Sequence, residues 1–204
     1  MCTAQPQLLA QARLVMKIVI FNGSPHENGN TAALCKAFTD ALPPAVQVET
    51  LSLYSILPLP CTACGACMQK NCCSFSDLDE TDALLHEADA FVWAVPIYNY
   101  SVPAPVKALL DRFQRYYEAV RVRGEPVFDR TDRPAVLLLT AGRQGLYSKE
   151  MIEKQLQTAG DSIGFSLLRT VFAARTDCSP PSEEVLEASH DAAVFLLQKI
   201  GFYQ

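Results

Sequence analysis

Five short apolar runs, each followed by a stretch of helical spacing, constrain this chain more than any other feature. The runs cover residues 17–21, 46–53, 90–95, 134–140 and 165–173. The intervening and closing stretches 31–42, 77–88, 104–120, 148–159 and 183–200 repeat apolar residues every three or four positions, as amphipathic helices do. Strands that read as uniformly apolar are expected to be covered on both faces. The pattern therefore predicts an α/β fold: a doubly wound, five-stranded parallel sheet with helices on both faces. Such sheets bind ligands at the carboxyl ends of their strands, at the switch point. That selects three loops, 22–31, 96–102 and 141–147.

Composition narrows the function classes. A chain of 204 residues suffices for one well-cored domain, and a hydrophobic share of 50% argues against disorder. No apolar run approaches the roughly 20 residues of a membrane span. A net charge of −5, with no basic cluster, argues against a nucleic-acid partner. Residues 1–15 read as a lead-in without a secretory signal's basic start or cleavage site. Met16 offers an alternative start, and residues 16–204 form the expected domain. A cytoplasmic location follows as the expectation.

The first loop, "NGSPHENGNT", leaves a strand and enters a helix. It offers hydroxyls from Ser24 and Thr31, amides from Asn28 and Asn30, and a titratable cation in His26. A helix N-terminus with such neighbours suits a phosphate. The loop matches neither the triphosphate nor the dinucleotide glycine motif, so a single terminal phosphate fits best. The plainer alternative is a turn and helix cap. In the second loop, Tyr98 and Tyr100 could wall a planar ligand or pack a dimer. In the third, small residues would let the backbone approach a ring edge.

Five of the eight cysteines fall in the insert 61–73. Cys61, Cys64 and Cys67 stand at two-residue gaps, followed by Cys72 and Cys73. Thiolates at this spacing can wrap an iron–sulfur cubane with a fourth ligand. A structural zinc normally draws on two cysteine pairs across a longer loop. Cysteines also persist as reduced, packed thiols. All three readings stay open.

The segments "MKIVIFNGSPHENGNTAAL", "VPIYNYSVPAPVKALLDRF" and "LLTAGRQG", in this order, resemble the NADPH-dependent FMN reductase-like branch of the flavodoxin-fold superfamily. The cysteine insert is similar to that of the iron–sulfur flavoproteins. The resemblance implies strand order 2-1-3-4-5, bound FMN, NAD(P)H as co-substrate and a homodimer or homotetramer. It puts the FMN phosphate on Ser24, His26, Asn30 and Thr31, where family members often carry Arg or Lys in place of His26. It puts the isoalloxazine along Pro96, Ile97, Tyr98, Asn99, Tyr100 and Ser101, with a backbone donor near flavin N5 from the 97–99 stretch. The pyrimidine edge falls to Thr140, Ala141, Gly142 and Gly145. No side chain need act as an acid or base. For a [4Fe-4S] cluster the family's spacing points to Cys61, Cys64, Cys67 and Cys73, with Cys72 as the alternate. Asp111-Arg112 matches a family motif and is expected to form a structural ion pair near a helix end. Arg143 is a candidate for a nicotinamide phosphate.

The activity implied is an FMN-dependent NAD(P)H oxidoreductase passing electrons to a quinone, flavin or similar small acceptor. The rivals are an electron carrier fed by ferredoxin through a [4Fe-4S] cluster, and a cysteine-based redox or metal sensor.

Overall fold

The structure is a computed structural model that describes residues 15–202, so most of the lead-in lies outside the described residues. Five parallel strands form one sheet: β1 (Lys17–Asn22), β2 (Gln47–Ser52), β3 (Ala90–Pro96), β4 (Arg133–Thr140) and β5 (Phe165–Ala173), in the order β2-β1-β3-β4-β5. This is the expected flavodoxin-like order. The helices are α1 (Asn30–Asp40), α2 (Leu53–Ile56), α3 (Ala66–Gln69), α4 (Asp79–Glu87), α5 (Ala104–Arg112), α6 (Gln114–Tyr117), α7 (Leu146–Ile163) and α8 (Glu183–Lys199).

Alternate residues of the central strands point to opposite faces, which divides the core in two. Val19, Phe21, Phe91, Trp93, Leu137 and Leu139 pack beneath α4, α5 and α7. Ile18, Ile20, Val92, Ala94, Val136 and Leu138 pack beneath α1 and α8. Phe21 and Trp93 stack at 4.4 Å between ring centroids. At the amino end of the sheet, buried Arg133 donates to the carbonyls of Leu85, Ala88, Ile163 and Gly164. One cation thereby serves the C-terminal turns of both α4 and α7.

Several local expectations need correction. β3 and β4 are buried throughout, but β2 and β5 are half-exposed, because a sheet edge has only one neighbouring strand to shield it. The helix expected over 104–120 stops at Arg112. There the Phe113 amide tightens onto the Leu110 carbonyl at 3.1 Å, and after α6 the backbone widens into a π turn, Glu118–Val122. Asp77 lies outside α4, and Arg112 pairs with it rather than with Asp111. Asp111 pairs with Lys107 instead. The helix expected over 148–159 extends to 146–163, bounded by Gly145 and Gly164, both in left-handed conformations.

Candidate functional site

The three selected loops meet at the carboxyl end of the sheet. Gly23 leaves β1 with its amide on the Ala94 carbonyl at 2.8 Å, tying the first loop to β3. A Cβ there would fall 2.4 Å from Val106 Cγ2, so only glycine lets α5 approach this closely. The loop then folds on its own side chains. The Ser24 amide donates to Asn22 Oδ1 at 3.0 Å, and the His26 amide to Ser24 Oγ at 3.2 Å. Ser24 is buried while His26 is exposed. α1 begins after Gly29, whose lack of a side chain leaves the helix without a side-chain cap. Its first-turn N–H groups are thus open to an anion.

Two of the predicted residues make contacts of long range in sequence. Thr31 Oγ1 lies 2.9 Å from Thr140 Oγ1, both buried, joining the start of α1 to the end of β4. Asn30 Nδ2 donates to the Thr176 carbonyl at 3.3 Å, so its amide already braces the loop after β5.

In the second loop, Ile97 donates to the Thr140 carbonyl at 2.7 Å. Tyr98 and Ser101 exchange backbone bonds of 2.9 Å across a tight turn. The two central residues, Asn99 and Tyr100, have φ of 48° and 64°. Asn tolerates this region, whereas a tyrosine there is strained. Of the three amides in the stretch 97–99, that of Ile97 is donated to the end of β4 and that of Tyr98 across the turn to Ser101. Tyr98 is 37% exposed and Tyr100 81%. Leu57 and Leu59, beyond β2 and α2, and Leu146 and Tyr147, at the start of α7, are exposed as well.

The third loop is zipped to a segment that the sequence reading passed over. Arg175, Thr176 and Asp177 donate their amides to the carbonyls of Arg143 (2.9 Å), Ala141 (2.9 Å) and Gly142 (3.2 Å). A Cβ on Gly142 would lie 2.3 Å from the Asp177 carboxylate. Gly145 has φ of 58°, and a Cβ there would be 2.9 Å from the Ala141 methyl. The only sequence signal for the 174–178 segment was its position after a strand end. Arg143 is exposed on the same loop.

The cysteine insert forms a second candidate centre. Cys61, Cys64, Cys67, Cys72 and Cys73 line one cavity of about 410 Å³, bordered by Phe75, Arg112, Arg115 and Glu118. Cys61 and Cys64 are exposed, Cys67 and Cys73 half-buried, and Cys72 buried. Cys64 Sγ lies 3.1 Å from Ser74 Oγ, and this contact holds its thiol below the usual range. Burial pushes the Cys67 thiol up. Among the described residues, no three histidine, cysteine, aspartate or glutamate side chains are gathered as metal ligands. The donor set nonetheless suits a thiolate-bound metal: soft sulfur ligands at short spacing on one cavity. Cys35 lies apart, half-buried on α1, where desolvation pushes its thiol up to about 12.

A doubly wound parallel sheet whose anion-ready loop, tyrosine turn and glycine-rich loop converge at the switch point defines a flavodoxin-like, nucleotide-binding α/β protein. The chain belongs to the NADPH-dependent FMN reductase family, whose pattern matches residues 16–175. It is similar to an iron–sulfur flavoprotein of Archaeoglobus fulgidus, 33% identical over 112 residues, covering 54% of this chain and 51% of the relative. It is also similar to an FMN-dependent NADH:quinone oxidoreductase of Cellvibrio japonicus, 31% identical over 94 residues, or 46% of each protein. The chain thus spans about half the length of these curated relatives. The fold is shared with an NAD(P)H:quinone oxidoreductase from Methanothermobacter marburgensis, with a TM-score of 0.61 at 19% identity over 88% of this chain and 92% of that one. Among the described residues, no helix is long and apolar enough to cross a membrane.

Proposed function

We propose that the chain is an FMN-dependent NAD(P)H oxidoreductase that reduces a small acceptor such as a quinone or free flavin. The observation that carries this reading is the buried Thr31–Thr140 contact. It couples an uncapped helix N-terminus to the glycine-bearing strand end beside the tyrosine turn, so that phosphate and ring subsites form one rigid unit. Ser24, His26, Thr31 and the first-turn amides of α1 would hold the phosphate. Asn30 would brace the loop with one N–H of its amide, donated to Thr176, and would offer the other to the phosphate. Pro96, Ile97, Tyr98, Asn99, Tyr100 and Ser101 would flank the ring system, with the Asn99 N–H as the donor toward it. Thr140, Ala141, Gly142 and Gly145 would border its pyrimidine edge. Bound FMN would supply the two-electron chemistry between NAD(P)H and acceptor. The protein's part is to orient both partners, and the exposed Tyr100, Leu146 and Tyr147, on the segments after β3 and β4, would suit a planar, weakly polar acceptor or a second copy of the chain, in line with the homo-oligomer expected of the family.

The test is titration of the purified protein with FMN, followed anaerobically by NADPH or NADH and then a quinone. Saturable flavin binding, bleaching by pyridine nucleotide and recovery on quinone addition are expected. A protein that takes up no FMN would refute the proposal.

A second reading rests on the shared cysteine cavity. Cys61, Cys64 and Cys67, with Cys73 or Cys72, would hold a [4Fe-4S] cluster and receive electrons from a ferredoxin-like donor. The family's spacing favours Cys73, whereas Cys72 is the more deeply enclosed of the two. Anaerobic reconstitution with iron and sulfide should give near-stoichiometric iron and a broad absorbance around ~400 nm that dithionite bleaches. Zinc uptake, or reversible thiol oxidation without flavin turnover, would instead support a metal or redox sensor.

A further inference from the structure

We infer that Arg112 and Asp77 form a latch that holds the cysteine insert closed, and that Arg112 is a positioning residue for its thiols. The inference rests on reading the insert as a thiol centre, whichever metal it takes.

Arg112 is the last residue of α5, yet its side chain is only 4% exposed. It reaches across to the chain entering the insert and to the chain leaving it. Nη1 donates to the Leu59 carbonyl at 3.0 Å and to Asp77 Oδ2 at 3.2 Å. Nη2 donates to the Phe75 carbonyl at 3.4 Å and lies 3.0 Å from Asp77 Oδ1. The guanidinium also covers the Phe75 ring at 5.1 Å. Asp77 completes the closure by accepting the Leu59 amide at 2.9 Å. Two stems that are 18 positions apart in sequence are thereby joined to each other and to α5.

The far end of the insert is fixed in the same manner. Arg123, just beyond the π turn, donates to the carbonyls of Cys67 at 2.6 Å and Met68 at 3.2 Å, and it pairs with Glu125 at 2.7 Å. Both arginines act on backbone carbonyls of the insert rather than on its sulfurs. A planar, five-donor fork can serve carbonyls and carboxylate together, which a lysine ammonium on a single stem cannot. The stems and tip are therefore set by backbone contacts before any ligand arrives. Opening the latch should expose Cys72, which is now 8% exposed, and should leave the flavin end untouched.

The experiment is pulsed N-ethylmaleimide alkylation of the reduced, metal-free protein, resolved by residue in a mass spectrometer. The wild type is compared with Arg112→Met, Arg112→Lys and Asp77→Asn. In the wild type, Cys72 should react about 10-fold or more slowly than Cys61, as expected of a locally protected site. Arg112→Met should largely remove that difference, and Arg112→Lys should fall between. Half-buried Cys35 on α1 should keep its wild-type reaction rate and FMN uptake should stay unchanged in every variant, which a general loss of structure would not allow. If Arg112→Met fails to fold, Asp77→Asn and Arg112→Lys decide. Unchanged Cys72 protection in the folded variants, or full protection restored by Arg112→Lys, would overturn the latch. A parallel iron–sulfide reconstitution separates the two ideas. A wild type that takes up no iron refutes the cluster while the alkylation pattern still judges the latch.

Discussion

At the carboxyl end of the sheet, backbone binds backbone: Gly23 to Ala94, Ile97 to Thr140, and the 141–143 segment to 175–177. In the cysteine insert, the long-range ties run through side chains, from Asp77 to Leu59 and from Arg112 and Arg123 to carbonyls. The first region is an extension of the sheet and inherits its rigidity. The second is a loop leaning on two arginines. The difference teaches that a site for a large, flat cofactor can be preformed by strand ends, whereas a thiol centre can be fixed at its margins by side chains.

The largest test of this contrast is Gly23→Ala. The added methyl would overlap Val106 Cγ2, and Val106 is rigid at χ1. A loss of about 2–3 kcal/mol in urea unfolding is expected, together with weaker FMN binding. Thr31→Val comes next. It should orphan the buried Thr140 hydroxyl at a cost of about 1–3 kcal/mol, while the double change with Thr140→Val should be milder than the sum. Additive losses would mean that the two hydroxyls do not depend on each other.

The insert should respond to acid where the strand-end loops do not. Burial works to raise the Asp77 carboxyl, but hydrogen bonds from Arg112 and the Leu59 amide prevail and hold it below the usual range. A depressed carboxylate contributes stability above its unfolded pKa of about 3.9, and that contribution is lost as pH falls through the folded value. Cys72 protection should therefore persist to about pH 4 and fail below it, as read by acid-stable thiol labelling. An earlier loss, at pH 5–6, would mean that the Arg112 contact does not depress Asp77. The smallest effect should come from Tyr100→Ala. A side chain this exposed should change unfolding stability by no more than about 0.5 kcal/mol, yet its loss should measurably weaken FMN or acceptor binding.

The central strands and the three strand-end loops were legible because each rests on local periodicity, whereas the sheet order came from the family resemblance. Runs such as 90–95 and 134–139 carry no polar residue that would suit a solvent-facing side. The polar character of β2, "QVETLS", shows the limit: an edge position is decided by which strand lies beside it, and that is not a local property. The partners of Asn30 and Arg112 escaped for the same reason. Thr176 lies 146 positions from Asn30, and Asp77 lies 35 from Arg112, beyond the reach of any helical or strand spacing. Asp111 was the nearer and wrong partner, because successive residues on a helix point in different directions.

The closure at Leu59 and Asp77 makes the insert behave as a cartridge. Its two ends already touch, so the sheet senses only a short bridge, and the insert's further ties run to Arg112 and Arg123 on the helical segment after β3. Loop length adds little to the entropy of closing such a bridge. Replacing residues 60–76 by a tight turn should leave the sheet and its strand-end loops intact. Thiol chemistry and flavin chemistry are in this sense separately heritable: a lineage could lengthen, shorten or discard the cartridge without rebuilding the sheet that carries it.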